Sequence, residues 1–112
     1  MKYTEADEQA ALFEWAAMTK WKYPDLKLLF HIPNEGQQHL MRQGVKGGVP
    51  DLFLPVPRGI YHGLFIEMKA RQGRVLENQK MWLRWLTAQG YRAVICWGFD
   101  EARKTIEDYL NE

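Results

Sequence analysis

Residues 48–69 read GVPDLFLPVPRGIYHGLFIEMK. Two short apolar runs, Asp51 to Val56 and Gly63 to Lys69, flank a connection containing Pro57, Arg58 and Gly59, so the stretch predicts a β-hairpin. Side chains alternate across a strand, which puts Ile66 and Met68 on the core face and Glu67 and Lys69 together on the other. An unpaired charge on a buried strand is expensive. Two opposite charges about 6.6 Å apart, at roughly 3.3 Å per residue, therefore need a reason. A Glu-X-Lys triplet alone fits a solvated sheet face or a simple ion pair. The hairpin adds to it, because folding the chain back sets Asp51, just after Val49-Pro50, opposite the Glu67 end of its partner strand.

Two converging carboxylates are hard oxygen ligands of the kind that suit Mg²⁺ or Mn²⁺, ions that keep waters and take substrate phosphate oxygens as well. Lys69, two positions further along, points at the same place, where an ammonium orients a nucleophile or stabilises charge on a phosphate. The chemistry implied is metal-assisted hydrolysis of a phosphodiester. No Ser/His/Asp order, CxxC pair or Gly-Lys-Ser/Thr phosphate loop competes with it. His31, His39 and His62 are scattered without the spacing of a zinc site.

Outward from the hairpin, Thr4 is placed to cap a helix from Glu5 to Lys20, with Glu5, Asp7 and Glu8 favourably set in its first turn. Tyr23-Pro24 breaks that helix, and Leu26 to Ile32 reads as a short buried strand stopped by Pro33-Asn34-Glu35-Gly36. Some helical character follows in HLMRQG, residues 39–44, ended by Gly44. After Gly73 an amphipathic helix is expected from Glu77 to Gln89, with Met81, Trp82, Trp85 and Leu86 near one face. Arg92 to Trp97 reads as a buried strand and the last segment as a helix capped by Asp100, with Ala102, Ile106 and Tyr109 or Leu110 inward. This order predicts an α/β sandwich around a mixed central sheet of about four strands flanked by helices.

At 112 residues and 46% hydrophobic content the chain suits one domain, residues 1–112. Fifteen basic against fourteen acidic residues leave a net charge of +1, so any nucleic-acid surface has to be local. The single cysteine, Cys96, excludes an internal disulfide and fits a reducing compartment. No apolar stretch approaches the roughly 20 residues of a membrane helix, and a cytoplasmic protein is expected.

GVPDL, IEMK and Gln79 in NQKMW, with IPNEG upstream and the tryptophans and glycine of residues 78–90 downstream, resemble the PD-(D/E)XK nuclease superfamily and, within it, the virus-type replication-repair nuclease (VRR-NUC) domain. The resemblance covers nearly the whole chain. It implies a restriction-endonuclease-like fold and a Mg²⁺- or Mn²⁺-dependent DNA endonuclease. Asp51, Glu67 and the Met68 carbonyl would be metal ligands, Lys69 the catalytic lysine and Gln79 the helix glutamine beside the site. Glu8 matches the acidic residue that the family brings from its first helix, with Glu5 and Glu14 as the alternatives in that helix. One departure is Leu76, which stands where the family tends to have a small hydroxyl cap. Arg42, Lys46, Arg58, Arg71 and Arg74 fall in loops next to the proposed site and are candidate phosphate contacts, joined by Asn34 in the NEG turn.

The likeness to the Holliday-junction resolvases of the same superfamily points to four-way junctions cut by a homodimer in a bacterial or phage-infected cell. The alternatives are a flap-directed or other nuclease of a phage replication and repair system, and a non-catalytic nucleic-acid-binding module on the same fold.

Overall fold

A computed structural model of the chain describes residues 3–33 and 41–112. The first helix, α1 (Glu5–Met18), begins where a reciprocal capping pair forms: the Asp7 N–H donates to Thr4 Oγ1 at 3.1 Å and the Thr4 N–H to Asp7 Oδ2 at 2.9 Å. Those two bonds hold the Asp7 carboxyl below its usual range. They fix the helix start at Glu5, a placement that matters for the site below.

Leu26 to Ile32 does not form the strand expected of it. Pro24 opens a 3₁₀ turn over Pro24–Leu28, the conformation its fixed φ favours. Leu26 and Leu29, three apart, are buried as a turn of helix requires, while the strand β1 is reduced to Phe30–His31, both exposed. The second strand β2 (Leu52–Leu54) and the third, β3 (Leu64–Lys69), are the expected hairpin. Helix α2 (Glu77–Ala88) carries the chain across to β4 (Arg92–Trp97), parallel to β3, and helix α3 (Phe99–Leu110) follows. The sheet order is β1-β2-β3-β4, antiparallel except for the last pair. The mixed four-stranded sheet of the sequence reading is thus present.

Alternation divides the sheet as predicted. Leu52, Leu54, Leu64, Ile66 and Met68 point into one core with Leu12 and Ala16 of α1 and with Ala102, Ile106, Tyr109 and Leu110 of α3. The Tyr109 hydroxyl keeps a partner inside that core by donating to the Val56 carbonyl at 2.7 Å. Phe53 and Phe65 lie on the opposite face, stacked at 4.1 Å.

Two expectations need correction. β4 is an edge strand in which only Cys96 is buried, because no described strand pairs with its outer side. The cap of α3 is Gly98 at φ 91°, a left-handed conformation that favours glycine, and Asp100 sits in the first turn instead. Among the described residues no helix is long and apolar enough to cross a membrane.

Candidate active site

The hairpin register pairs Leu52 with Ile66, so Asp51 stands one residue beyond, level with Glu67. Its main chain is held from the other side, where the Asp51 carbonyl accepts from the Ile32 N–H at 2.6 Å. Its side chain reaches across the hairpin end, and Asp51 Oδ2 accepts from the Met68 N–H at 2.8 Å. The backbone of Met68 is therefore part of the site's wall.

Glu67 and Lys69 are the buried charged residues of the chain's described part, at 2% and 5% exposure. Glu67 Oε2 lies 3.8 Å from Lys69 Nζ and accepts from Gln79 Nε2 at 3.3 Å. The other oxygen, Oε1, is buried and finds no donor among the described residues, its carboxyl facing that of Asp51 instead. Native proteins seldom leave a buried acceptor in that state. Gln79 is fixed at its far end, because its Oε1 accepts from the Leu76 N–H at 2.8 Å. Leu76 itself has no side-chain acceptor for the first turn of α2, so the glutamine supplies half of a capping pair from inside the helix. One side chain thereby starts the helix and orients the buried carboxyl. Gln79→Ala removes both bonds and should lower the melting temperature by about 5 °C, the cost of one lost cap in a domain of this size. A calorimetric melt checks it; an unchanged midpoint would leave the Leu76 bond without energetic weight.

The third carboxylate comes from α1, and it is Glu5. Oxygens of Glu5, Asp51 and Glu67 all lie within 4.8 Å of one another. Glu8, the residue matched to this position in the sequence reading, is turned elsewhere: its Oε1 accepts from the Phe99 N–H at 3.0 Å, at the start of α3. The two residues are one helical turn apart, and the turn that passes the open end of β3 is the first. Glu14 lies further along α1 and is exposed.

Burial, then the Asp51 carboxylate, drive the Glu67 carboxyl up to about 9, with Glu5 adding and Lys69 opposing. At neutral pH, with no cation beside it, Glu67 holds its proton. A buried carboxyl facing two others is held neutral by repulsion that a cation would relieve.

The candidate DNA contacts separate into two groups. Arg71 and Arg74 are exposed in the connection that leaves β3 directly after Lys69. Lys46 is exposed just ahead of Gly48, where an added Cβ would come within 2.9 Å of the Asn78 backbone at the start of α2. Those three share the site's end of the sheet. Arg42 is exposed four residues before Lys46. Arg58 belongs to the opposite end, in the hairpin connection, and is occupied: it bonds Asp25 Oδ2 at 2.8 Å, the Pro57 carbonyl at 2.8 Å and the Leu110 carbonyl at 3.4 Å. Its expected place beside the site is not what the fold gives, because the connection and the Asp51 end lie a full strand apart. Asn34 and Glu35 lie outside the described residues.

An open groove of about 980 Å³ runs between the start of α1, the residues Ala70 to Gly73 and the start of α3; Asp7, Glu8 and Asp100 line it, and none of the three clustered carboxylates does.

Comparison with known proteins agrees with this architecture. A sequence profile described as VRR-NUC domain matches residues 3–100. A solved structure named "VRR_NUC domain protein" superposes with a TM-score of 0.88 at 32% identity, over 99% of this chain and 91% of that one. No curated protein matches the chain.

Proposed function

Since this chain belongs to the VRR-NUC domain family, a family of nuclease type, we propose that it is a divalent-metal-dependent DNA endonuclease that cuts branched DNA, four-way junctions first, as a homodimer. The observation that carries this reading is the meeting of Glu5, Asp51 and Glu67 within 4.8 Å, with Lys69 Nζ 3.8 Å from Glu67. The donor set fits Mg²⁺ or Mn²⁺: all three groups are hard oxygen ligands, and a cation there would take the place of the proton that Glu67 holds against Asp51. A divalent ion held there would polarise the scissile phosphate and make water a competent nucleophile at neutral pH.

The chain's own residues do the rest. Glu5, Asp51 and Glu67 would hold the ion, with the Met68 carbonyl the further protein ligand that the family resemblance implies. Gln79 engages Oε2 of Glu67 and so leaves Oε1 for the ion. Lys69, desolvated and anchored beside Glu67, presents its ammonium to a phosphate oxygen or to the attacking water. Lys46, Arg71 and Arg74, with Arg42, contact backbone phosphates on either side, a local basic set on a chain of net charge +1.

The dimer rests on symmetry and on exposed apolar surface. Resolving a four-way junction takes two symmetric cuts, which a two-fold pair of sites provides at fixed spacing. Met81 and Trp85 of helix α2 and Leu76 at its cap are 38%, 52% and 57% exposed, and among the described residues no strand pairs with the outer side of β4.

The test is cleavage of labelled four-way junction, flap and linear duplex with Mg²⁺, Mn²⁺ or EDTA, with light scattering on the same preparation. Paired symmetric nicks on the junction in either metal, none in EDTA, and a mass twice the 13.2 kDa of the chain are expected. Preferred cutting of the flap would move the substrate; a monomer mass in a junction-cutting sample would remove the two-site geometry. Binding without cutting in either metal would leave a non-catalytic module.

A further inference from the structure

Glu8 was expected at the metal site and is absent from it, yet the bond it makes joins three pieces of the site's frame. Its Oε1 accepts from the Phe99 N–H at 3.0 Å. That amide is the first of α3, one of the donors a helix start cannot satisfy from within, and a carboxylate is the best acceptor for it. Immediately before it, the Gly98 N–H donates to the Lys69 carbonyl at 2.8 Å. Gly98 serves the backbone there: its φ is 91°, a conformation that favours glycine, while an added Cβ would sit 3.6 Å from Glu8 Oε1, an ordinary van der Waals distance. The path thus runs from the Glu8 carboxylate, at the end of the first turn of α1, through the β4–α3 junction, to the main chain of the residue two after Glu67.

Glu5 needs such a support. It is the first residue of α1, exposed, and the described bonds at that end of the helix are the Thr4–Asp7 pair, which fixes the helix start and nothing beyond it. The apolar anchors of α1, Leu12 and Ala16, lie about two and three turns further down. Between them and Glu5, among the described residues, Glu8 is the side chain bonded to another element, at a residue 91 positions away in the sequence. Those contacts hold the helix from Leu12 onward, and since a metal ligand is useful only within about a few tenths of an ångström, the turn that carries Glu5 gains from a bond of its own.

We propose that Glu8 is a positioning residue: by clamping the first turns of α1 to the β4–α3 junction it sets the Glu5 carboxylate against Asp51 and Glu67. The proposal rests on the metal-site reading above. Partners that orient a ligand from outside the coordination sphere are worth about 10–100-fold in metal affinity.

The test compares Mn²⁺ binding by calorimetry in the intact chain and in Glu8→Ala, Glu8→Gln, Glu5→Gln and the Glu5→Gln/Glu8→Ala double variant, well below each melting midpoint. Glu8→Gln keeps an oxygen for the Phe99 N–H and is expected near wild type. Glu8→Ala should bind about tenfold more weakly. Added to Glu5→Gln it should cost nothing further, since the group it positions is then already gone. Hydrogen exchange supplies the readout that does not depend on metal: the Phe99 amide and the first turn of α1 should lose protection in Glu8→Ala and keep it in Glu8→Gln. Full Mn²⁺ affinity in Glu8→Ala beside a weakened Glu5→Gln would overturn the clamp and leave the metal site standing. Equal losses in Glu8→Ala and Glu8→Gln, or losses additive with Glu5→Gln, would overturn it too, as damage unrelated to the Phe99 bond. Unchanged affinity in Glu5→Gln would take Glu5 out of the site, and the clamp's purpose with it.

Discussion

Lys69→Met should lower metal-dependent cleavage of DNA by about 10³-fold, the scale on which one preorganised donor or proton-transfer group contributes, and should do so without unfolding the chain or releasing the metal. Three features separate the effects. The lysine stem is buried, with the residue 5% exposed, so methionine replaces its apolar length almost atom for atom. Removing a cation from a buried pair usually strands the partner's charge at a cost of several kcal/mol. Here the partner does not carry that charge in the metal-free protein, because burial and the neighbouring Asp51 keep Glu67 protonated up to about 9. When an ion is bound it neutralises the carboxylates itself. Nor does the backbone depend on the ammonium, since the Lys69 carbonyl keeps its bond from the Gly98 N–H. Single-turnover cleavage, Mn²⁺ calorimetry and a thermal melt on the one variant therefore test chemistry, ligation and folding apart. Cleavage within about tenfold of wild type would remove Lys69 from the reaction.

The hairpin and its consequences were legible in the sequence because strand alternation is local: once 51–69 folds back, Glu67 and Lys69 must share a face and Asp51 must come level with Glu67. The second helix, β4 and the last helix were legible for the same reason, each from its own periodicity. What escaped was decided between elements. Leu26 to Ile32 is as apolar as a strand, but Pro24 starts a 3₁₀ turn that uses Leu26 and Leu29 at helical spacing, and only the packing reveals which pattern wins. The choice among Glu5, Glu8 and Glu14 turned on how α1 crosses the end of β3, which no window of α1 records. The Thr4–Asp7 capping signature did mark Glu5 as the first helical residue, and so as the carboxylate nearest the helix end. Its complement, that Glu8 would be drawn to the start of α3, needs the parallel β3–α2–β4 crossover to bring Gly98 beside Lys69. Arg58 misled for a related reason: it is a loop arginine close in sequence to the site, but a hairpin puts its connection and its open end at opposite ends of its strands.

Glu67→Gln should act in two opposite directions, abolishing Mn²⁺ binding while stabilising the metal-free protein, and the second effect should depend on pH. The sign follows from the raised carboxyl. Below about 4.5 both folded and unfolded chains hold the Glu67 proton, and its position contributes no difference. Between 4.5 and about 9 the unfolded chain releases a proton that the native one retains, so wild-type stability falls as pH rises through that window and levels off above it. Glutamine never ionises and is spared the loss. In EDTA, Glu67→Gln should therefore melt close to wild type at pH 4 and higher by ~5 °C or more at pH 8. The same proton governs loading. An ion that binds Glu67 must displace it, so Mn²⁺ affinity should climb about tenfold per pH unit between roughly 6 and 8, and one proton should leave per ion bound. Calorimetry in buffers of different ionisation enthalpy counts that proton directly. A variant that melts below wild type at pH 8 in EDTA would mean that the buried carboxyl is a structural asset. Mn²⁺ uptake without proton release would mean that the ion sits somewhere other than on Glu67. If both expected results appear together, the burial of Glu67 is accounted for: its place in the fold is unfavourable for the empty protein and is made favourable by the cation it receives.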